Sequence, residues 1–199
     1  MSSFDSRARE WDKDKMHMER SVAIALELEK MVPVTPSMKA LEYGAGTGLL
    51  SFLLKDRFAE ITLMDHSGEM IKVCEEKVAF LGTKHIKPIL FDLEHSDFSQ
   101  KVDIIYTQMV LHHVANVNAI LAKFRTLLND GGYLAIADLY TEDGSFHGPA
   151  VKVHQGFDPE KIEETLKSVG FKNIAYKTCF VMKRESGRCY PIFLLVASL

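Results

Sequence analysis

Three glycines alternate with other residues in Leu41-Glu42-Tyr43-Gly44-Ala45-Gly46-Thr47-Gly48, where a short apolar run gives way to a helical pattern. Glycine carries no side chain, so the backbone of such a turn can approach a ligand at the start of the helix. A nucleotide-like ligand is the first candidate, although glycines also serve tight strand-to-helix turns that bind nothing. The dinucleotide fingerprint needs glycine three residues after Gly46, and Leu49 stands there, which disfavours classical NAD binding.

Two aspartates follow later apolar runs, at positions from which they can meet the same ligand. Asp65 ends the second run, about twenty residues after the glycines, where a carboxylate can accept hydrogen bonds from both ribose hydroxyls. Asp65 is also a candidate helix cap, but Ser67 is at least as good a cap. Asp92 follows the third run and is expected to point toward the same crevice, within reach of an adenine amino group. The alternative for Asp92 is a solvated turn residue, as expected for Asp97.

Composition and charge restrict the class of protein. The 199 residues are 47% hydrophobic and 26% charged, which is typical of one globular domain. The net charge of −3 gives no positive footprint for nucleic acid, so a small or non-nucleic substrate is expected. The N-terminal segment lacks the apolar core of a signal peptide, and no later stretch reaches about 18 uninterrupted apolar residues. Neither secretion nor membrane binding is therefore predicted.

The cysteines and histidines show no metal-site spacing. Cys74, Cys179 and Cys189 are odd in number and widely spaced, which predicts reduced thiols in a cytoplasmic protein. His112 and His113 are adjacent, so their rings are not expected to converge easily on one ion. No metal site is predicted.

Short apolar runs alternate with helical patterns from Lys39 onward, which indicates βα units around a parallel sheet. The predicted strands are Ala40 to Tyr43, Ile61 to Met64, Ile86 to Phe91, Val102 to Tyr106 and Tyr133 to Ala137. The predicted helices between them are Leu49 to Phe58, Gly68 to Phe80 and Asn116 to Asn129. Asp130-Gly131-Gly132 is a good C-terminal stop for the last of these helices.

The two ends of the chain have different patterns. An amphipathic helix is predicted over Val22 to Met31, stopped by Pro33, and the polar segment before it is expected to be mobile. Near the other end, Asp158-Pro159 starts a helix that ends at Gly170. A hairpin is predicted from two β-rich runs, Phe171 to Met182 and Tyr190 to Ser198. No linker divides the chain, so one domain is predicted over residues 1–199.

Four blocks of the chain resemble, in the family's order, the class I methyltransferases that depend on S-adenosylmethionine (SAM). The first resembles their SAM-binding signature, the second their second-strand segment, and the last two their fourth-strand block. These blocks are Leu41 to Ser51, Met64 to Met70, Val102 to Tyr106 and Leu111 to Val114. The resemblance covers roughly Phe4 to Leu199 and is to the small-molecule branch of the family.

The resemblance implies a Rossmann-like α/β fold, with a seven-stranded, mostly parallel sheet, an antiparallel last strand and helices on both faces. It implies a helical lid over residues 1–36 and a SAM-binding core over residues 37–199. The implied function is methyl transfer from SAM to a small-molecule acceptor whose identity the sequence does not encode readably. A noncatalytic SAM-binding or interaction protein stays an alternative, because fold and cofactor site do not prove turnover. A nucleotide-dependent oxidoreductase is less favoured because of Leu49.

The resemblance also implies the cofactor contacts. Two glycines would meet the methionine part of SAM through backbone atoms, one glutamate would support its amino group, and one aspartate would hold the ribose. The only tryptophan lies in a motif resembling the family's lid, although packing against the first helix is an equal alternative. The implied cofactor-binding residues are Trp11, Glu42, Tyr43, Gly44, Gly46, Asp65, His66, Met70, Asp92, Leu93, Gln108 and Met109.

Methyl transfer to oxygen or nitrogen can require removal of a proton, and histidine suits that role near neutral pH. The doublet His112-His113 is common in the family across different substrates, which favours a structural or pocket-lining role. His147 and His154 lie in the loop after the fifth strand, on the edge where open α/β sheets bind ligands. His154 is the predicted catalytic residue, with a solvated loop histidine as the alternative.

Overall fold

The computed structural model describes residues 5–148, 151–184 and 186–199. The α-helices are α1 (Lys15–Met31), α2 (Leu49–Leu53), α3 (Gly68–Leu81), α4 (Val117–Leu127) and α5 (Pro159–Ser168). The strands are β1 (Lys39–Tyr43), β2 (Glu60–Asp65), β3 (Ile86–Leu90), β4 (Val102–Gln108), β5 (Leu128–Leu139), β6 (Lys172–Lys183) and β7 (Cys189–Ser198). Short 3-10 helices cover Asp5–Lys13, Lys55–Arg57 and Leu111–His113. Within the described ranges, no helix has the length and apolarity needed to span a membrane.

The seven strands form one sheet in the order β3-β2-β1-β4-β5-β7-β6. Strands β1 to β5 pair in parallel, and β7 runs antiparallel to both β5 and β6. The predicted mostly parallel sheet with an antiparallel last strand is therefore confirmed, together with its C-terminal hairpin. The strand order changes direction between β1 and β4, and ligands of open α/β sheets bind at such a switch point.

Helices cover both faces of the sheet, and the side chains of each strand alternate between the two faces. Ala135 of β5 belongs to a buried cluster with Leu28 of α1 and Leu50 of α2. The preceding residue, Leu134, faces the other side of the sheet and belongs to a separate buried cluster with Phe124 of α4. Burial on both faces explains why the central strands are nearly continuous apolar runs in the sequence.

The second helix is shorter than its apolar pattern predicts. The helix expected over Leu49 to Phe58 ends at Leu53 and is followed by the 3-10 helix Lys55–Arg57. The chain has to straighten there, because the backbone N–H of Ala59 already donates to the carbonyl of Met38, at 2.8 Å, where β2 begins beside β1.

The predicted boundary between the fourth helix and the fifth strand was wrong. The helix expected over Asn116 to Asn129 spans Val117–Leu127. Leu128 opens β5 instead, because it pairs with Val102 of β4. Gly131-Gly132, predicted as a helix stop, therefore lies inside the strand.

The N-terminal helix begins earlier than its apolar pattern predicts. Helix α1 starts at Lys15 rather than near Val22, and the carboxylate of Asp14 caps it by accepting the backbone N–H of Met16 at 2.9 Å. The polar segment that was expected to be mobile forms the 3-10 helix Asp5–Lys13. A charged, mostly exposed sequence hides this order, because it depends on contacts with distant parts of the chain.

Candidate functional site

One cavity of about 320 Å³ lies at the carboxyl ends of the central strands. That volume falls within the range of small-molecule sites. All but one of the predicted cofactor residues line it; the exception is Glu42. The lining members of that set are Trp11, Tyr43, Gly44, Gly46, Asp65, His66, Met70, Asp92, Leu93, Gln108 and Met109. Arg20 and His113 also line the cavity, and neither was among the cofactor residues predicted from the sequence.

The glycine turn is packed tightly at Gly44 and open at Gly46. Gly44 and Gly46 have φ angles of 66° and 56°, in the left-handed region that favours glycine. A Cβ atom on Gly44 would lie 2.5 Å from the side chain of Val110, whereas one on Gly46 would meet only the Sδ of Met70, at 4.0 Å. The space beside Gly46 therefore belongs to the cavity, so its backbone can meet a ligand.

Asp65 holds the turn while facing the cavity. Its Oδ2 accepts the backbone N–H of Gly46 at 2.7 Å, and its Oδ1 accepts that of Ser67 at 2.8 Å. An ionised carboxylate has about four acceptor sites, so about two remain for a ligand. The hydroxyl of Ser67 accepts the N–H of Met70 at 3.3 Å, which confirms Ser67 as the cap of α3. Ribose binding by Asp65 stays a prediction.

Asp92 lies at the rim of the cavity, with its side chain 47% exposed. It accepts the backbone N–H of Glu94 at 3.0 Å, and one of its oxygens lies 2.8 Å from the Nδ1 of His95. Burial raises the pKa of Asp92, but the hydrogen bonds from His95 and Glu94 outweigh it and lower the pKa below the usual range. Contacts of Asp92, Leu93 and His66 with adenine stay predictions.

Glu42 lies beneath the glycine turn, fully buried, rather than on the cavity wall. Its Oε2 accepts the hydroxyl of Ser51 at 2.5 Å, and that hydroxyl also lies 2.6 Å from the Tyr106 hydroxyl. Burial raises the pKa of Glu42 to about 8, so the group is largely protonated at neutral pH. Its Oε1 has no hydrogen-bond partner among the described residues. The predicted support of the SAM amino group by Glu42 is untested by this geometry.

The N-terminal 3-10 helix is fastened to the glycine turn. The carboxylate of Asp12 accepts the hydroxyl of Thr47 at 2.5 Å and pairs with Lys77 of α3 at 2.5 Å. Lys77 also donates to the carbonyl of Thr47 at 2.7 Å. Trp11 lines the cavity and stacks on His17 of α1, with ring centroids 4.2 Å apart. Trp11 therefore packs against the first helix and lines the cavity at the same time, and its contact with SAM stays a prediction.

The wall beyond β4 carries a buried cation. Arg20 of α1 is 5% exposed, and its Nε has no hydrogen-bond partner. Burial lowers the pKa of Arg20 to about 10, which still leaves the guanidinium charged at neutral pH. The neighbouring Ser21 donates its hydroxyl to the Oε1 of Gln108 at 3.1 Å, which joins α1 to the end of β4. Sequence reasoning missed Arg20, because its burial depends on how α1 packs.

Three histidines, His112, His113 and His147, form a group that we call the histidine cluster. Their ring centroids lie 4.2 to 5.0 Å apart. The Nδ1 of His112 lies 2.6 Å from the Oδ1 of Asp138, and both side chains are 1% exposed. His113 lines the cavity, and burial together with its histidine neighbours lowers its pKa to about 3.

His154 is not among the residues that line the cavity, but it contacts one of them, Val114. Its Nε2 is 3.0 Å from the carbonyl oxygen of Val114, so this nitrogen is the donor. Its backbone N–H donates to the carbonyl of His112 at 2.8 Å, which fastens the loop after β5 to the histidine cluster. The catalytic role of His154 stays a prediction, and its geometry favours holding the loop.

A family model described as a methyltransferase domain matches residues 35–194. The uncharacterized methyltransferase C1347.09 of Schizosaccharomyces pombe is 28% identical over 153 residues, which is 68% of this chain and 54% of that protein. The chain thus spans about half the length of this curated relative.

Two solved structures share the fold. One is the N-methyltransferase NodS of Bradyrhizobium japonicum in complex with S-adenosyl-l-homocysteine, with a TM-score of 0.71 and 16% identity over 94% of this chain and 90% of that one. The other is a SAM-dependent methyltransferase of Aquifex aeolicus, with a TM-score of 0.68 and 18% identity over 96% of this chain and 97% of that one. The family match over most of the chain, on this fold, shows that the chain belongs to the class I SAM-dependent methyltransferases.

Proposed function

We propose that this chain transfers a methyl group from SAM to a small-molecule acceptor that carries an anionic group. One observation carries the proposal: one cavity joins the glycine turn and Asp65 to a wall that holds Arg20, whose buried Nε has no hydrogen-bond partner among the described residues. The first part suits the cofactor, and the second calls for an anion. The division into a lid over residues 1–36 and a core over residues 37–199 is part of the same proposal.

The residues present fit SAM. The open space beside Gly46 admits a ligand to the backbone, and Asp65 retains acceptor sites that face the cavity. SAM supplies a methyl group on a sulfonium, so no nucleophilic side chain is required. The work left to the protein is to align donor and acceptor and to exclude water. Trp11 and the fastened N-terminal 3-10 helix are placed to provide that exclusion.

Arg20 argues for an anionic ligand. The Nε of its guanidinium is buried and has no hydrogen-bond partner within the described ranges. A buried charge without a partner is costly, whereas arginine binds carboxylates and phosphates through two parallel hydrogen bonds. The opposing charges with the largest effect on Arg20 are those of Asp138 and Asp14. Asp138 lies near the end of β5, three strands along the sheet from β2, which carries Asp65, and this separation supports an acceptor-side position for Arg20.

Cofactor binding is tested first by isothermal titration of the chain with SAM, S-adenosylhomocysteine and NADH. We expect heat from the two SAM-type ligands and none from NADH. Tight NADH binding without SAM binding would establish the oxidoreductase alternative. SAM binding with no methylated product across a broad acceptor panel would favour a noncatalytic SAM-binding protein.

Arg20→Gln then separates the two anions that this residue can hold, since SAM itself has a carboxylate. S-Adenosylhomocysteine has that carboxylate, and 5′-methylthioadenosine lacks the whole amino-acid part. We expect Arg20→Gln to leave the affinity of both ligands within about threefold of wild type while lowering activity on carboxylate- or phosphate-bearing acceptors. The expected loss is about 10- to 150-fold, corresponding to about 1.5–3 kcal/mol.

Selective weakening of S-adenosylhomocysteine, with 5′-methylthioadenosine unaffected, would reassign Arg20 to the cofactor and remove the argument for an anionic acceptor. Arg57→Gln is the matched control, because Arg57 pairs with Glu29 at the surface and lies outside the cavity lining. It should behave as wild type with every ligand.

A further inference from the structure

The histidine cluster brings together nitrogen atoms from two separate segments of the chain. His112 and His113 belong to the 3-10 helix after β4, and His147 lies in the loop after β5. One ring nitrogen from each residue lies within 4.8 Å of the others. The adjacent pair alone was not expected to converge on one ion. The third ring arrives only through the fold of the loop.

Asp138 fixes the tautomer of His112. A carboxylate accepts, so the Nδ1 of His112 carries the proton and donates to the Oδ1 of Asp138 at 2.6 Å. The Nε2 of His112 is then the ring nitrogen left to bind a metal ion. Histidines that bind metals usually donate their other N–H to a carboxylate or carbonyl in this way, which orients the ring and makes the ligand nitrogen more basic.

The ring of His147 supplies a second candidate ligand nitrogen. Its Nε2 is buried and has no hydrogen-bond partner among the described residues. Metal ions bind the unprotonated nitrogen of an imidazole ring, and this nitrogen of His147 has no other partner to give up.

We propose that His112, His113 and His147 bind a divalent transition-metal ion, with Zn²⁺ as the reference ion. A ligand set made only of imidazoles suits zinc, copper, nickel or iron and does not suit Mg²⁺ or Ca²⁺, which prefer oxygen. Tetrahedral Zn–N bonds of about 2.0–2.1 Å place ligand nitrogens about 3.4 Å apart. Metal binding therefore draws the loop that carries His147 slightly closer to the doublet.

The site would stand beside the cavity, because His113 belongs to both. Three protein ligands leave one tetrahedral position for water or for an oxygen of the acceptor, as in catalytic rather than structural zinc sites. A metal there would favour the deprotonated form of a bound hydroxyl. This inference adds a metal site to the proposed methyl transfer and does not depend on it.

The test is calorimetric titration of Zn²⁺ into chelator-treated chain without SAM, in a Cys189→Ser background that removes the exposed thiol. We expect one equivalent to bind. His147→Gln should weaken Zn²⁺ binding at least about tenfold, because even the loss of a group that only orients a metal ligand costs about 10- to 100-fold in metal affinity. His147 is half-buried, and its Nε2 has no hydrogen-bond partner among the described residues, so this variant should fold, which circular dichroism can check.

His154→Gln is the matched control, since it removes a histidine from the same loop without touching the cluster. Titration with Co²⁺ adds a visible absorption spectrum, whose intensity reports tetrahedral coordination by nitrogen. Absence of stoichiometric Zn²⁺ binding, or equal affinity in wild type and His147→Gln, would overturn the proposal. Because SAM is absent throughout, either result leaves the methyltransferase proposal untouched.

Discussion

The two sides of the cavity differ in how far their polar atoms are already satisfied. At the glycine turn, Asp65 accepts the N–H groups of Gly46 and Ser67, so the turn is held by the protein itself. On the side of α1 and the histidine cluster, the Nε of Arg20 and the Nε2 of His147 are buried without hydrogen-bond partners among the described residues. The backbone of the turn is thus held in the free chain, although the Oε1 of Glu42 beneath it also lacks a partner, whereas the other side has two buried nitrogens left over.

The difference indicates that the glycine turn is preorganised for its ligand, whereas the other side gains hydrogen-bond partners when a ligand binds. A buried polar atom without a partner costs about 1–3 kcal/mol, so a ligand that supplies the partner recovers that free energy on binding. A turn that is already hydrogen-bonded loses little entropy when its ligand arrives. Substitutions at the glycine turn should therefore disturb folding as well as binding, whereas those on the other side should act mainly on ligands.

The largest effect is expected for Gly46→Val, which should abolish detectable S-adenosylhomocysteine binding in isothermal titration. Its branched side chain would fill the space beside the turn. Gly82→Val is the matched control, because Gly82 has a similar φ of 63° and nothing within 4 Å of an added Cβ. Both variants carry about 1–2 kcal/mol of backbone strain, and only the first should lose binding. Retained affinity in Gly46→Val would remove the turn from the site.

A pH-dependent effect on stability is expected from Glu42→Gln. Burial raises the folded pKa of Glu42 to about 8, above the ordinary value of 4.5, so its stabilising contribution is full below the unfolded pKa and lost as pH rises through about 8. Relative to the variant, wild type should lose about 1.4 kcal/mol per pH unit across that window. Urea unfolding from pH 5 to pH 9 measures this; parallel stability profiles would show that Glu42 is ionised in the fold.

An intermediate effect is expected for Asp65→Ala, which should weaken SAM binding by about 1.5–3 kcal/mol, the range for hydrogen bonds to a charged group. The same change should lower the free energy of unfolding, since the N–H groups of Gly46 and Ser67 lose their acceptor. Asp97→Ala is the control, because the Asp97 side chain is 98% exposed. Unchanged SAM affinity in Asp65→Ala would sink the ribose assignment.

The smallest effect is expected for Asp12→Asn, which loosens the N-terminal 3-10 helix from Lys77. The pair is partly exposed, so the affinity for S-adenosylhomocysteine should fall by about 0.2–1 kcal/mol at low salt and by less at high salt. Glu76→Gln breaks the neighbouring, more exposed pair with Arg9 and should have a weaker effect still. An identical salt dependence in both variants would show that Asp12 has no special role in closing the cavity.

The glycine side could be read from the sequence because its determinants are local. Strand β1, which contains Glu42, leads directly into the glycine turn. Asp65 ends β2, the neighbouring strand of the sheet. Parallel pairing alone then brings Asp65 beside Gly46. The same locality explains why the strands and their alternation with helices were predicted while the ends of α2 and α4 were not, since those ends depend on hydrogen bonds of Ala59 with Met38 and on the pairing of Leu128 with Val102.

The other side depends on long-range packing that no local pattern reports. Arg20 has the spacing of a charged residue on an exposed helix face, and only the docking of α1 buries it. His147 lies far along the chain from the histidine doublet and meets it because the loop after β5 folds back. His154, the predicted catalytic residue, lies in the same loop as His147, but its ring contacts the carbonyl of Val114 and is not part of the histidine cluster.

The hydrogen bond between Ser21 and Gln108 connects α1 to the end of β4 as well as to the wall that holds Arg20. Arg20, next to it on the same helix, faces the proposed acceptor, while Gln108 belongs to the predicted cofactor contacts. A displacement of α1 by a ligand at Arg20 would therefore reach Gln108 as well. Thermodynamic linkage requires any such influence to be mutual, so that the factor by which an acceptor changes the affinity for the cofactor equals the factor by which the cofactor changes the affinity for the acceptor. The order of addition would then leave the final complex unchanged.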